Sequence, residues 1–218
     1  MAPSPSPGNG GEWEEMEQLR RLLQGRRRLI LPSGPVPAAV LLPLFHEDGS
    51  WNVLLTKRTE HLTHHGGEIS FPGGVRQDDD PDLLATALRE CWEEVGIRPE
   101  DVDLLGTLDD IVSVHNYLVT PFVGVIPSQY PFNISQDEIQ RLIVIPVAEL
   151  LRPEIYRVED WSWKGRKMPV SFFTSGEDEV WGLTAAILRQ FLDLIQPAAA
   201  QEACDASTDC HHSPDSHC

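Results

Sequence analysis

The stretch GGVRQDDDPDLLATALRECWEEVG, Gly73 to Gly96, constrains this chain more than any other. Leu84, Ala87, Leu88, Cys91 and Val95 recur at steps of three and four, the signature of one apolar helical stripe. Asp80-Pro81 predicts the start of that helix, as a capping acid followed by a proline in the first turn. Gly96 predicts its end. Glu90 and Glu94 stand four apart and share a face, and Glu93 flanks them. Arg89 is four before Glu93, at ion-pair spacing. Like charges this close repel, so the fold either solvates them or gives them a cation. The apolar stripe must also lie on something, and the flanking sequence supplies strands rather than further long helices.

Upstream, VPAAVLLPLFHEDGSWNVLLTKR reads as a hairpin turning at Asp48-Gly49. GEISFPGG is a short strand running into a glycine pair. Downstream, DLLGTLDDIVSVHNYLVTPFVGVIP holds two more strand-like runs. VIPVAELLRP predicts a strand end and a short helix stopped by Pro153. WSWKGRKMPVSFF predicts a hairpin around Gly165, and EVWGLTAAILRQFLDLI a final amphipathic helix with Trp181 in the core. Before all of these, EWEEMEQLRRLLQG is helical, and Arg26, Arg27 and Arg28 form its solvated end. The mixed order predicts an α+β or mixed α/β fold without repeated βαβ units.

Residues 1–11 are rich in Pro, Gly and Ser and are expected to be disordered, as is the Cys/His-rich tail, 197–218. Residues 12–196 form one domain with an N-terminal helix. Cys204, Cys210, His211, His212, His217 and Cys218 match none of the usual zinc spacings. The formal net charge of −17 argues against a nucleic-acid or acidic-membrane partner, which a basic surface would hold. No apolar run is long enough to span a membrane, and the N-terminus lacks the basic start and apolar stretch of a signal peptide. A cytoplasmic protein is expected. The oligomeric state stays open, a homodimer included.

Glycines Gly73-Gly74 let bare backbone approach a ligand, and carboxylates with a backbone carbonyl are hard oxygen donors suited to Mg²⁺ or Mn²⁺. At this point the chain resembles the Nudix hydrolase family, whose box reads G-x5-E-x7-R-E-U-x-E-E-x-G-U, with U aliphatic. RECWEEVGI, Arg89 to Ile97, matches its second half, with Cys91 at a U position. In the first half Gly74 lies one residue too far from Arg89, and Asp80 stands near the place of the family's Glu. The coenzyme A-cleaving branch is similar in having this longer spacing. It also has an upstream motif, L-L-T-x-R-[SA]-x3-R-x3-G-x3-F-P-G-G, which LLTKRTEHLTHHGGEISFPGG resembles from Leu54 to Gly74. Thr59 replaces Ser or Ala, and Thr63 replaces the second Arg, removing a guanidinium that could pair with phosphate.

The resemblance, over roughly residues 36–195, implies a Nudix-type α/β/α sandwich with a mixed central sheet. It implies metal-dependent cleavage of coenzyme A or acyl-CoA to adenosine 3′,5′-bisphosphate and 4′-phosphopantetheine or its acyl form. Glu90, Glu93, Glu94 and the Gly74 carbonyl would hold the metal, and Arg89 would orient Glu93 or a neighbour. A box glutamate or Glu138 would act as base. Arg58, Lys57 and Arg76 are the cations placed to receive phosphate, with His64-His65 as further candidates. Trp161, Trp163 and Trp181 are candidates for stacking on adenine. Two other readings stand beside this one: a Nudix hydrolase of ADP-ribose, a dinucleotide such as NADH or an oxidised nucleoside triphosphate, and a non-catalytic domain that binds CoA or a nucleotide.

Overall fold

A computed structural model describes residues 10–32, 36–61, 66–163 and 165–196. Helix α1 covers Gly10–Gly25, so it starts two residues before the expected boundary. Strands β1 (Val36–Glu47) and β2 (Ser50–Arg58) form the expected hairpin, with Asp48 (φ 51°) and Gly49 (φ 78°) left-handed in the turn. That pair of positive φ values is what an Asp-Gly two-residue loop supplies. Short strands β3 (Ile69–Ser70) and β4 (Gly73–Val75) follow. Then come helix α2 (Leu83–Val95), β5 (Asp103–Thr107), β6 (Ile111–Val112), β7 (Tyr117–Val125), β8 (Ile139–Pro146) and the single turn α3 (Val147–Leu150). Strands β9 (Tyr156–Trp163), β10 (Arg166–Ser175) and β11 (Asp178–Trp181) lead into helix α4 (Gly182–Ile195).

Among the described residues β1 to β8 make one mixed sheet, in which β1 runs parallel to β7 and antiparallel to β2 and β4. Strand β1 is apolar along nearly its whole length because both its faces are buried. Side chains alternate across it. Ala39, Leu41 and Phe45 pack with Leu54 beneath Ala87, Cys91 and Val95 of α2. Ala38, Leu42 and Leu44 pack on the other face with Leu55, with Met16 and Leu23 of α1, and with Phe191 and Leu192 of α4. The result is an α/β/α sandwich with a mixed central sheet. Trimming a fully buried residue such as Leu54 to Ala costs about 2–5 kcal/mol.

Strands β9, β10 and β11 form a second, antiparallel sheet, including the expected hairpin at Gly165. Its presence corrects two sequence readings. Residues 179–181 are strand, not helix, because Phe172 pairs with Trp181 across β10 and β11. Trp181 is therefore half-buried, in contact with Trp161 and Phe172, and does not sit in the core. The Arg26–Arg28 run is also not simply solvated. Arg26 pairs with Asp109, and Arg28 with the buried Asp110 and with Thr120, so α1 is tied to the sheet beyond its end. The expected disordered stretches, the Cys/His-rich tail, Thr63 and His64-His65 lie outside the described residues, except Gly10 and Gly11. Among the described residues no helix is long and apolar enough to cross a membrane.

Candidate active site

The site is built on α2. Its start is not capped by Asp80, as the sequence suggests, but by Asp82, whose extended backbone lets its carboxylate accept from the Ala85 amide at 2.8 Å. Asp80 is freed for another task. It is buried and accepts from Arg89 Nε at 3.0 Å on one oxygen and from Arg89 Nη2 at 3.0 Å on the other. The Gln77 amide and Thr86 hydroxyl, both at 2.9 Å, complete its partners. The Arg89 guanidinium, followed by these donors, holds the Asp80 carboxyl well below the usual carboxylate range, although burial opposes that shift. Such a two-pronged pair fixes orientation as well as charge.

Anchored this way, Arg89 turns its remaining donor toward the acids. Its Nη1 meets Glu90 at 2.8 Å and Glu93 at 3.0 Å, the latter at the helical spacing read from sequence. Nη2 also donates to the Val75 carbonyl at 3.2 Å, binding β4 to the helix. Gly74 lies directly under Glu90, where an added Cβ would stand 2.5 Å from Oε1. Gly73 is tighter still, since a Cβ there would meet the Ala39 carbonyl at 2.4 Å. The glycine pair is thus a matter of space as much as of conformation. At the helix end Gly96 adopts φ 77° and donates to Trp92 O, the expected stop.

Glu94 is buried, and two donors reach it from the upstream segment: Arg58 Nη1 at 3.1 Å and the Gly73 amide at 3.2 Å. Burial outweighs both and pushes its carboxyl up to about 8. The neighbouring Glu90 and Glu138 charges push the same way. Burial also raises Glu90, again with Glu93 and Glu138 adding to the effect. Glu138 itself is exposed in the turn before β8. Arg89 thus joins Glu90 and Glu93, Gly74 lies against Glu90, Arg58 holds Glu94, and the Glu138 charge acts on Glu90 and Glu94.

The other expected cations are distributed differently. Arg58 lies on the α2 side, where it meets Glu94, while alternation along β2 carries Lys57 to the opposite side with Leu55. Arg76 donates to the Asp80 and Pro81 carbonyls and lines a cleft of about 470 Å³ at the start of α2, with Arg28, Thr120 and Phe122. Trp161 is an exposed member of the second sheet. The part sequence reasoning missed is the role of Asp80 as the anchor of Arg89. Its position near a box acid was the signal.

Among the described residues no three Asp, Glu, His or Cys side chains already stand as a metal-holding group; Arg89 and Arg58 engage the acids. The donor set nevertheless fits a hard divalent cation. It consists of carboxylates whose charges oppose one another, packed against the bare backbone of a glycine.

A sheet with α2 laid across it, carrying an Arg-Glu and Glu-Glu cluster against a glycine strand, defines a phosphoanhydride hydrolase of the Nudix type. The NUDIX domain model matches residues 35–164, and the chain belongs to that family. It is 42% identical over 153 residues to the uncharacterized Nudix hydrolase NudL of Cronobacter sakazakii, covering 70% of this chain and 79% of that one. The NudL of an Escherichia coli strain is 39% identical over the same shares. Among solved structures, a Caenorhabditis elegans Ap4A hydrolase is similar, at 20% identity and a TM-score of 0.44 over 53% of this chain and 83% of that one. The chain is thus a hydrolase of the Nudix family.

Proposed function

We propose that the substrate is coenzyme A or an acyl-CoA, cleaved at its diphosphate to adenosine 3′,5′-bisphosphate and 4′-phosphopantetheine or its acylated form. One observation carries this reading. The upstream segment that resembles the CoA-cleaving branch ends physically on the box, because its Arg58 and its Gly73 amide both donate to Glu94. That segment is therefore part of the reacting surface.

Glu90, Glu93 and Glu94, with the Gly74 carbonyl, would hold Mg²⁺ or Mn²⁺. An ion held there would supply positive charge to the diphosphate. Arg89, fixed by Asp80, keeps Glu90 and Glu93 oriented. Glu138 takes the proton of the attacking water, whose oxygen ends on one phosphorus while the bridging oxygen leaves with the other. Arg58, partly exposed on the same side, and Arg76 receive phosphate charge.

The test is product chromatography after incubation with Mg²⁺ or Mn²⁺ and, separately, CoA, acetyl-CoA, ADP-ribose, NADH and an oxidised dGTP. Adenosine 3′,5′-bisphosphate should appear faster than any product of the other substrates. Faster cleavage of ADP-ribose or NADH would remove the CoA assignment and leave the hydrolase. Thr63, standing where the branch has Arg, is what favours that second outcome.

A further inference from the structure

We propose that Thr59 is a positioning residue for Glu138: its hydroxyl and its amide together fix the turn that presents this carboxylate beside Glu90 and Glu94. The segment between Val125 and Ile139 contains neither helix nor strand. A connection of that kind wanders unless its backbone is tied down. Two of its ties lead to Glu94.

The first runs through the end of α2. Its last carbonyls have no partner within the helix. The Asn133 amide takes Val95 O at 3.0 Å, and the Ser135 amide takes Glu94 O at 2.9 Å. The Ser135 carbonyl then accepts from the Glu138 amide at 3.0 Å and the Ile139 amide at 2.7 Å, closing the turn. The second tie is Thr59. Its amide donates to Glu138 O at 2.9 Å, and its hydroxyl donates to Asp137 O at 3.1 Å. Thr59 directly follows Arg58, the residue that grips the Glu94 carboxylate. The peptide that carries Glu138 is thereby referenced to Glu94 from its carbonyl on one side and from its side-chain partner on the other. Thr59 is buried, so a hydroxyl without Asp137 O would be desolvated and unpaired. A buried hydroxyl and amide of one residue, each held on one of two adjacent peptides of an exposed turn, have a placing role that core packing does not require.

This inference rests on Glu138 as the proton acceptor, and the experiment separates the two. Steady-state kinetics at saturating Mg²⁺ would compare Thr59→Val, Thr59→Ser, Glu138→Gln and the Thr59→Val/Glu138→Gln double variant, with a thermal melt of each. Thr59→Val should lower kcat about fivefold to tenfold, one hydrogen bond's worth, with KM unchanged. Thr59→Ser should keep the rate, and Thr59→Val should have no further effect once Glu138 is Gln. Full activity in Thr59→Val, or the same fractional loss in the Glu138→Gln background, overturns the Thr59 role while leaving Glu138. Full activity in Glu138→Gln overturns the proton-acceptor role and the inference with it. Should Val not fold in place, Thr59→Ala deletes the same bond without added bulk and must show the same loss of kcat.

Discussion

Glu94 is the residue on which the site turns. Its carboxyl, pushed up to about 8 by burial, must lose a proton before it can hold a cation. Metal binding should therefore release a proton, and apparent Mn²⁺ affinity should fall by up to about tenfold for each pH unit below 8. Calorimetry in buffers of different ionisation enthalpy checks this, and a pH-independent affinity between 6 and 8 would exclude it. Arg89 makes a complementary case. Lysine keeps the charge but not the fork that spans Asp80, Glu90 and Glu93. Arg89→Lys should weaken metal affinity about 10–100-fold, the usual cost of a disturbed supporting shell, read as a rise in the Mg²⁺ needed for half-maximal activity. The spacing of Arg89, Glu90, Glu93 and Glu94 was legible in sequence because one helix carries them all. Asp80 was misread as a cap because two acids flank Pro81, and only the fold shows which one is buried.

The elements around α2 work by closeness. The two glycines of β4 look alike in sequence and differ in what surrounds them. At Gly74 a Cβ meets the end of a flexible carboxylate, whereas at Gly73 it meets the backbone of β1. Gly74→Ala should fold normally and lose metal affinity as Glu90 is displaced. Gly73→Ala should cost about 2–4 kcal/mol of stability, because backbone cannot swing aside. Urea melts of the two variants with Mn²⁺ titrations distinguish these outcomes, and equal destabilisation would count against the geometry. The hairpins at Asp48-Gly49 and Gly165 and the strand-rich order were readable from turn residues and apolar runs. The strand β11 was not, since its four residues run directly into an apolar helix. Its pairing with β10 is a long-range choice that local sequence does not encode. For the same reason the ties of Arg26 and Arg28 to Asp109 and Asp110 were hidden: their partners lie far along the chain.

At the scale of the whole molecule, two buried acids impose opposite pH trends on the metal-free protein. Asp80 is held below its ordinary value, so its contribution is present at neutral pH and is lost as pH falls below about 4, where the unfolded chain takes up the proton. Glu94 is raised, so its contribution is fully present below the unfolded value of about 4.3 and is lost as pH rises toward 8. Metal-free protein should therefore be most stable in mild acid, and Mg²⁺ should restore stability on the alkaline side, where it binds only the folded form. Thermal melts across pH with EDTA or Mg²⁺ test this, and a metal-free optimum above pH 8 would contradict it. The central claim is simpler: the acids of α2 stand together because they hold a divalent cation. Electron paramagnetic resonance of Mn²⁺ titrated into the protein and into Glu94→Gln measures it most directly. The account predicts bound Mn²⁺ in the first and its loss in the second, with both proteins folded. Equal Mn²⁺ binding by the two would contradict it.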